Sequence, residues 1–203
     1  MRVGARRYRR GMSEIRIEEA SVDRFDDVQH ALTGGGDGAS CWCQWWMLRA
    51  KDFSAASRDE RRELLRRDLE APVPSALIAY VDDEAAGWVK VSARTDQPRL
   101  ARTRNLRQSP EPFEDPSVWA ITCFVVRREH RGAGVANRLL DAAVDHARTH
   151  GARIVEGYPI DTEATKASSN ELFHGALSSF LDAGFTEVAR PAPARPIVSL
   201  TLA

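Results

Sequence analysis

Hydrophobic and polar positions alternate with two different periods along this chain, and the switches between them mark its elements. Glu14 to Ala20 alternates polar and apolar residues, as a half-buried strand does. Ser21-Val22-Asp23 then caps a helix carrying Phe25, Val28 and Leu32 at helical spacing, which stops at Gly34-Gly35-Gly36. A second helix is expected from about Ser57 to Glu70, with Leu64, Leu65 and Leu69 inward and arginines outward. Ser75 to Val81 reads as a strand, Asp82-Asp83-Glu84 as a hairpin turn, and Ala86 to Ala93 as the returning strand. The pattern lapses from Thr95 to Pro116, a long polar loop with four prolines. Trp119 to Val126 resumes as a buried β-branched and aromatic strand. A helix from Val135 to His150 follows, with Val135, Leu139, Leu140, Val144 and Ala147 on one face and Gly151 as its stop. Arg153 to Tyr158 is a strand reached by a right-handed crossover and so parallel to its predecessor. The pattern then predicts a helix over 172–183 ended by Gly184, and closing strands at Thr186–Ala189 and Ile197–Leu202.

Between the strand at 119–126 and its helix stands Arg131-Gly132-Ala133-Gly134-Val135-Ala136. A strand that turns through two glycines into a helix N-terminus gathers unpaired backbone N–H groups at one point, where the helix dipole adds positive potential. Gly132 and Gly134 let a phosphate approach the backbone where a side chain would push it away. The spacing is neither Gly-x-Gly-x-x-Gly nor Gly-x-x-x-x-Gly-Lys-Ser/Thr, which excludes the dinucleotide turn and the Walker loop. What remains is Arg-x-x-Gly-x-Ala, formed by Arg131, Gly134 and Ala136.

That motif resembles the pyrophosphate-binding signature of the GNAT superfamily of N-acetyltransferases. Ala183-Gly184-Phe185 is similar to the helix-ending Gly-Phe of the same family. The element order β-α-α-β-β-β-α-β-α-β-β is also that of the superfamily, with the sharpest likeness over Val118–Leu202. The resemblance implies an α/β fold (α+β in some schemes), with a mixed sheet of about six or seven strands, four helices, and parallel strands 4 and 5 splayed apart. It implies acetyl-CoA as co-substrate, its pyrophosphate on the amides of Arg131, Gly132, Ala133, Gly134, Val135 and Ala136. The pantetheine arm would pair with the exposed edge of Phe124, Val125 and Val126, and an amide near Val125 would serve the tetrahedral oxyanion.

Glu156 is the candidate base and Tyr158, on the same side of the strand, the candidate acid or substrate contact. The run Val155-Glu156-Gly157-Tyr158 falls where ribosomal-protein alanine acetyltransferases of the same superfamily carry Leu-Glu-Val-Arg. A carboxylate on a central strand is costly unless it faces a wet cleft. The plain alternative is that Glu156 meets solvent or a structural arginine, and that Tyr158 is a packed aromatic. The chain departs from the family at Ala120, where many members place a glutamate, and at Phe180, where many place a tyrosine acid.

Cys41-Trp42-Cys43-Gln44-Trp45-Trp46 falls in the region that usually walls the acceptor pocket. Its aromatics either clasp an apolar amine or a cation, or pack as a helix start. No metal is expected, because zinc needs about four ligands and no second Cys or His pair is read at ligand spacing. Arg99, Arg102, Arg104 and Arg107 either approach the acceptor or the coenzyme's 3′-phosphate, or form a solvated charge run.

Composition adds bounds. The chain has 203 residues, 43% hydrophobic and 29% charged, with a formal net charge of zero. That suits one folded domain over 13–203 and argues for neither a nucleic-acid nor a membrane partner. Residues 1–12 read as a disordered basic tail, or as an upstream extension with Met12 the true start. Three cysteines make no disulfide framework, which suggests the cytoplasm. The expected activity is acetyl transfer to a primary amine, of a small molecule sooner than of a protein, with a homodimer through the last strand open. The alternatives are an acyl-CoA-binding sensor and an interaction module using the tryptophan cluster.

Overall fold

The computed structural model describes residues 14–168 and 170–202; the expected basic tail and the choice between Met1 and Met12 lie outside them. Seven strands form one sheet: β1 (Ile15–Glu19), β2 (Ala76–Val81), β3 (Glu84–Ala93), β4 (Val118–Val126), β5 (Ile154–Gly157), β6 (Thr186–Ala192) and β7 (Arg195–Thr201). Their order is β1-β2-β3-β4-β5-β7-β6. Every neighbouring pair is antiparallel except β4 and β5. This is the expected fold class, including the parallel central pair. β7 is bonded on both sides, so the edge left free at that end is that of β6 and not of the last strand.

The period-two pattern supplies both faces of the sheet. Leu77, Ala79, Val89 and Val91 point to one side, where Leu139, Leu140, Ala143 and Ala147 of α5 (Val135–Thr149) cover them. Ile78, Tyr80 and Trp88 point to the other, against Val28 and Leu32 of α1 (Phe25–Thr33) and Leu65 of α4 (Arg58–Asp68). Both faces are therefore dry, and all six residues of β2 are buried. The β2–β3 turn places Asp82 and Asp83 at φ of 49° and 69°, which matches the right-handed strand twist. A capping box starts α4: the Ser57 hydroxyl accepts from the Glu60 amide, and the Glu60 carboxylate accepts from the Ser57 amide.

Three expectations need correction. Among the described residues six α-helical stretches stand where four helices were expected, because the 37–55 region folds into the short α2 (Gly38–Cys41) and α3 (Ala50–Ala55). The helix expected over 172–183 is broken into a 3₁₀ turn, Glu171–His174, and α6 (Leu177–Asp182). Gly175 breaks it with φ of 80°, and Ile160 holds the break by hydrogen-bonding through its N–H to Gly175 O and through its carbonyl to Leu177 N–H. The segment 95–116 is no loose loop: it carries three 3₁₀ turns and buries Gln97 and Leu100.

Candidate active site

The sheet opens where β4 and β5 part. They pair from Val118–Ile154 to Ile121–Gly157 and no further, so β4 runs on to Val126 with its β5-facing edge unpaired. Opposite β3 the register slips between Lys90 and Val91, leaving Thr122 as a bulge that turns Cys123 and Phe124 into the opening. The resulting cleft has a volume of about 900 Å³ and reaches from the phosphate turn to the 171–180 segment.

At one end lies Gly132–Ala136. Gly132 and Gly134 hold φ of 75° and 81°, Gly134 is the residue before the first turn of α5, and a Cβ at either would meet nothing within 4 Å. Among the described residues no acceptor pairs with the amides of Gly132 to Ala136, nor with that of Asn137. Converging free N–H groups, a helix N-terminus and an open approach fit a diphosphate. Arg131 departs from the expectation: its amide leans on Arg128 O at 3.4 Å, and its Nε donates to Val126 O at 3.1 Å. It lines the cleft with its side chain. Phe124, Val125 and Val126 line the same cleft along the open edge.

The Cys41–Trp46 motif forms the opposite wall. α2 ends with Trp42 and Cys43 both in the left-handed region, φ 49° and 55°, a costly conformation held by burial of both side chains. Trp46 is buried and donates through Nε1 to Thr122 O at 3.3 Å, tying the wall to the bulge. Trp45 stands at the rim, edge-on to Phe53 at 5.1 Å, with the Arg99 guanidinium 3.5 Å over its ring. Under them sit the thiols. Cys43 receives the Trp88 indole N–H at 3.2 Å. A hydrogen bond from Cys123, with the Lys90 charge nearby, draws the Cys43 thiol below its ordinary pKa. Donating that bond raises Cys123, and burial lifts Cys41 to about 11.

His174 closes the far side of the cleft, next to Gly175, where an added Cβ would crowd the Phe180 and Phe124 rings. Its ring meets Trp46 at 5.8 Å, and its Nδ1 is enclosed without a hydrogen-bond partner. Burial, helped by the Arg195 charge, lowers its pKa to about 3, so the ring is neutral. An enclosed bare nitrogen costs less than an enclosed N–H, so the hydrogen belongs on Nε2. Sequence reasoning missed this residue: nothing in the spacing of a lone histidine tells that its surroundings will strip its proton.

Glu156 and Tyr158 stand elsewhere. Neither lines the cleft. The Glu156 carboxylate has no exposed surface; it accepts from Arg94 Nη1 at 2.8 Å, from the Tyr158 hydroxyl at 2.9 Å and from the Ser109 hydroxyl. Arg94 also donates to the carbonyls of Glu111 and Pro112. The expectation that they face the cleft is therefore corrected: the carboxylate has found the arginine that was the plain alternative, and the pair joins the 94–116 segment to β5. Tyr158 borders a second, smaller hollow of about 230 Å³ together with Arg107. Of the other arginines in the run, Arg102 and Arg104 are exposed. Among the described residues lining the main cleft, Asp37 is the one carboxylate.

The chain matches the acetyltransferase (GNAT) family over residues 42–173 and belongs to that family. Solved structures share the fold at low identity. A ribosomal-protein-alanine N-acetyltransferase from Brucella melitensis is 14% identical, with a TM-score of 0.55 over 92% of this chain and 99% of that one. The GNAT domain of S. lividans PAT is 18% identical, with a TM-score of 0.52 over 93% and 90% of the two chains. A PaiA N-acetyltransferase from Thermoplasma acidophilum, solved in complex with coenzyme A, is 12% identical, with a TM-score of 0.52 over 93% and 99%. No curated protein matches the chain. An acyltransferase fold able to hold an acyl-CoA is the coarse conclusion. Among the described residues no helix is long and apolar enough to cross a membrane.

Proposed function

We propose that this protein is an acetyl-CoA-dependent N-acetyltransferase acting by direct transfer on a primary amine of a small, largely apolar molecule. The observation that carries the reading is the row of unpaired amides at Gly132–Ala136 beside the open edge Phe124–Val126. The amides would hold the pyrophosphate and the edge would hold the pantetheine arm, aiming the thioester at the Cys41–Trp46 wall.

In the reaction the amine nitrogen attacks the thioester carbonyl, a C–N bond forms, and the C–S bond breaks to release coenzyme A. A strand amide near Val125 supports the oxyanion. The cleft offers no well-placed carboxylate base, so the acceptor amine enters neutral; an apolar wall itself favours the uncharged amine by desolvating the ammonium. The departing thiolate needs one donor, and Phe180 cannot supply it. His174, neutral and with hydrogen on Nε2, would hydrogen-bond the departing sulfur, and the proton that the attacking nitrogen sheds passes to that thiolate, directly or through water, so that the products are the amide and coenzyme A as its thiol. The aromatic wall, with Asp37 as the one carboxylate among the described lining residues, favours an acceptor with an apolar body over a polyamine or a protein terminus. Three free cysteines agree with a reducing, cytoplasmic setting.

Thermal melting with acetyl-CoA tests the reading. Ligand at about 100 times its Kd adds about 2.7 kcal/mol of stability, followed by coenzyme A release when apolar amines are added. No shift with acetyl-CoA overturns the reading; a shift without thiol release on any amine leaves a sensor in place of an enzyme.

A further inference from the structure

A second group of side chains lies at the far end of α5, about 16 Å along the helix from its N-terminus at 1.5 Å per residue. His146 and His150 are one turn apart on α5, their rings 4.3 Å from centroid to centroid. Glu19, at the end of β1, brings its Oε1 to 3.2 Å from His146 Nδ1. One ligand-type atom from each of Glu19, His146 and His150 lies within 4.8 Å of the other two.

Hydrogen bonding fixes what those atoms can do. His146 Nε2 stands 2.8 Å from the carbonyl of Pro74, which only accepts, so that nitrogen carries hydrogen. His150 Nδ1 stands 2.9 Å from the His146 carbonyl and carries hydrogen for the same reason, which leaves its Nε2 with the free electron pair. The other His146 ring nitrogen, Nδ1, faces the Glu19 carboxylate across 3.2 Å. Nδ1 and the carboxylate oxygen are therefore placed to share one cation.

We propose that Glu19, His146 and His150 bind a divalent transition ion of the zinc class through two imidazole nitrogens and one carboxylate oxygen. Two imidazoles with a carboxylate are donors that suit zinc. Bonds of ~2.0–2.2 Å at tetrahedral angles separate ligand atoms by about 3.4 Å, close to the observed Nδ1–Oε1 separation. Each imidazole is steadied at its other nitrogen by a backbone carbonyl, the outer contact that orients metal-binding histidines. Glu19 is half exposed, so an ion enters from solvent and the fourth position holds water. Bound there, it ties the end of β1 to the last turns of α5 and takes no part in acyl transfer. The i, i+4 pair His146–His150 was itself legible as ligand spacing, and the expectation of no metal overlooked it; the third ligand, more than a hundred residues earlier, was not legible.

The test is a titration of the full chain, first stripped with a chelator, with zinc chloride by calorimetry and melting. Saturable binding and a raised Tm are expected, with affinity falling at least about tenfold in His150→Ala and in Glu19→Gln. Both variants keep the melting shift with acetyl-CoA, which separates this site from the cleft. Trp119, stacked 6.0 Å from the His150 ring, gives an independent readout: Cu²⁺ quenches its fluorescence, and Trp119→Phe removes the quenched component. Binding no tighter than about 1 mM, or affinity unchanged in both variants, overturns the proposal. So does a nitrogen spectrum of the metal-free protein at pH 7 with both His146 nitrogens protonated, because an imidazolium–carboxylate pair would then explain the contact.

Discussion

Gly134 meets two demands at once. Its φ of 81° is one that a side-chain-bearing residue adopts at a cost of roughly 1–2 kcal/mol, and the direction a Cβ would take is open space in front of the free amides. Gly134→Ala is expected to lower stability by about 1–2 kcal/mol and to abolish the rise in Tm with acetyl-CoA; a full ligand shift in the folded variant would detach the phosphate from this turn. His174 makes a different prediction, through pH. Its folded pKa of about 3 lies below the ordinary 6.5, so the unfolded chain binds more protons between those values. Unfolding free energy therefore falls as pH drops from about 6.5 toward 3, with the full contribution present above 6.5. His174→Asn should flatten that slope in denaturant titrations across the window. An equal slope in the variant would show that the ring is solvated. The two residues differ in how they show themselves in a sequence. A left-handed turn excludes every residue but glycine or a few polar ones, so Gly132 and Gly134 were legible. The chemistry of His174 comes from the walls around it, which no spacing records.

Elements were legible where one physical demand set the pattern and obscure where two competed. Alternation in β2 and β3, the buried stripe of α5 and the stop at Gly151 follow from burial and backbone freedom alone, and the strands and the helix form where those signals fall. The 172–183 segment has helix-forming residues and even a helical period, yet Ile160 captures both sides of Gly175 and breaks it. The long segment after β3 looked polar because its anchors are polar. Arg94 and Glu156 meet inside the protein, 62 residues apart in sequence, and their pairing decides both the path of that segment and the role of the carboxylate. Glu156→Gln leaves the Arg94 guanidinium buried without its counter-charge, at a cost of about 3 kcal/mol or more. The expected result is a large fall in the denaturant midpoint, with kcat/KM of the folded fraction nearly unchanged. A loss of about 10²-fold in kcat/KM at unaltered stability would restore Glu156 as the base. Replacing both partners with leucine or methionine should recover much of the stability, because the cost lies in the uncompensated charge and not in the lost pair.

At the scale of the whole molecule, the sheet does two things with one interruption of its hydrogen bonding. Parting β4 from β5 exposes a strand edge, which in the proposed function would take the extended thioester arm, while the acceptor would enter the same gap from the Trp45–Trp46 side. In that reading the electrostatics of the wall select the acceptor. Net charge is zero over the chain, but among the described residues lining the cleft Asp37 is the one carboxylate. A second ammonium on the acceptor would lose water there and find no partner. Aromatic or branched monoamines should therefore exceed diamines of equal size in kcat/KM by at least about tenfold, the scale of one poorly matched group in a pocket. With Asp37 the one carboxylate among the described residues lining the cleft and the acceptor entering neutral, kcat/KM should rise with pH along the acceptor's own ionisation. Changing the amine should move the midpoint of that profile by the difference in amine pKa. A midpoint that stayed fixed across amines would reveal a protein base in the cleft, and a preference for diamines would show that a carboxylate reaches the bound acceptor.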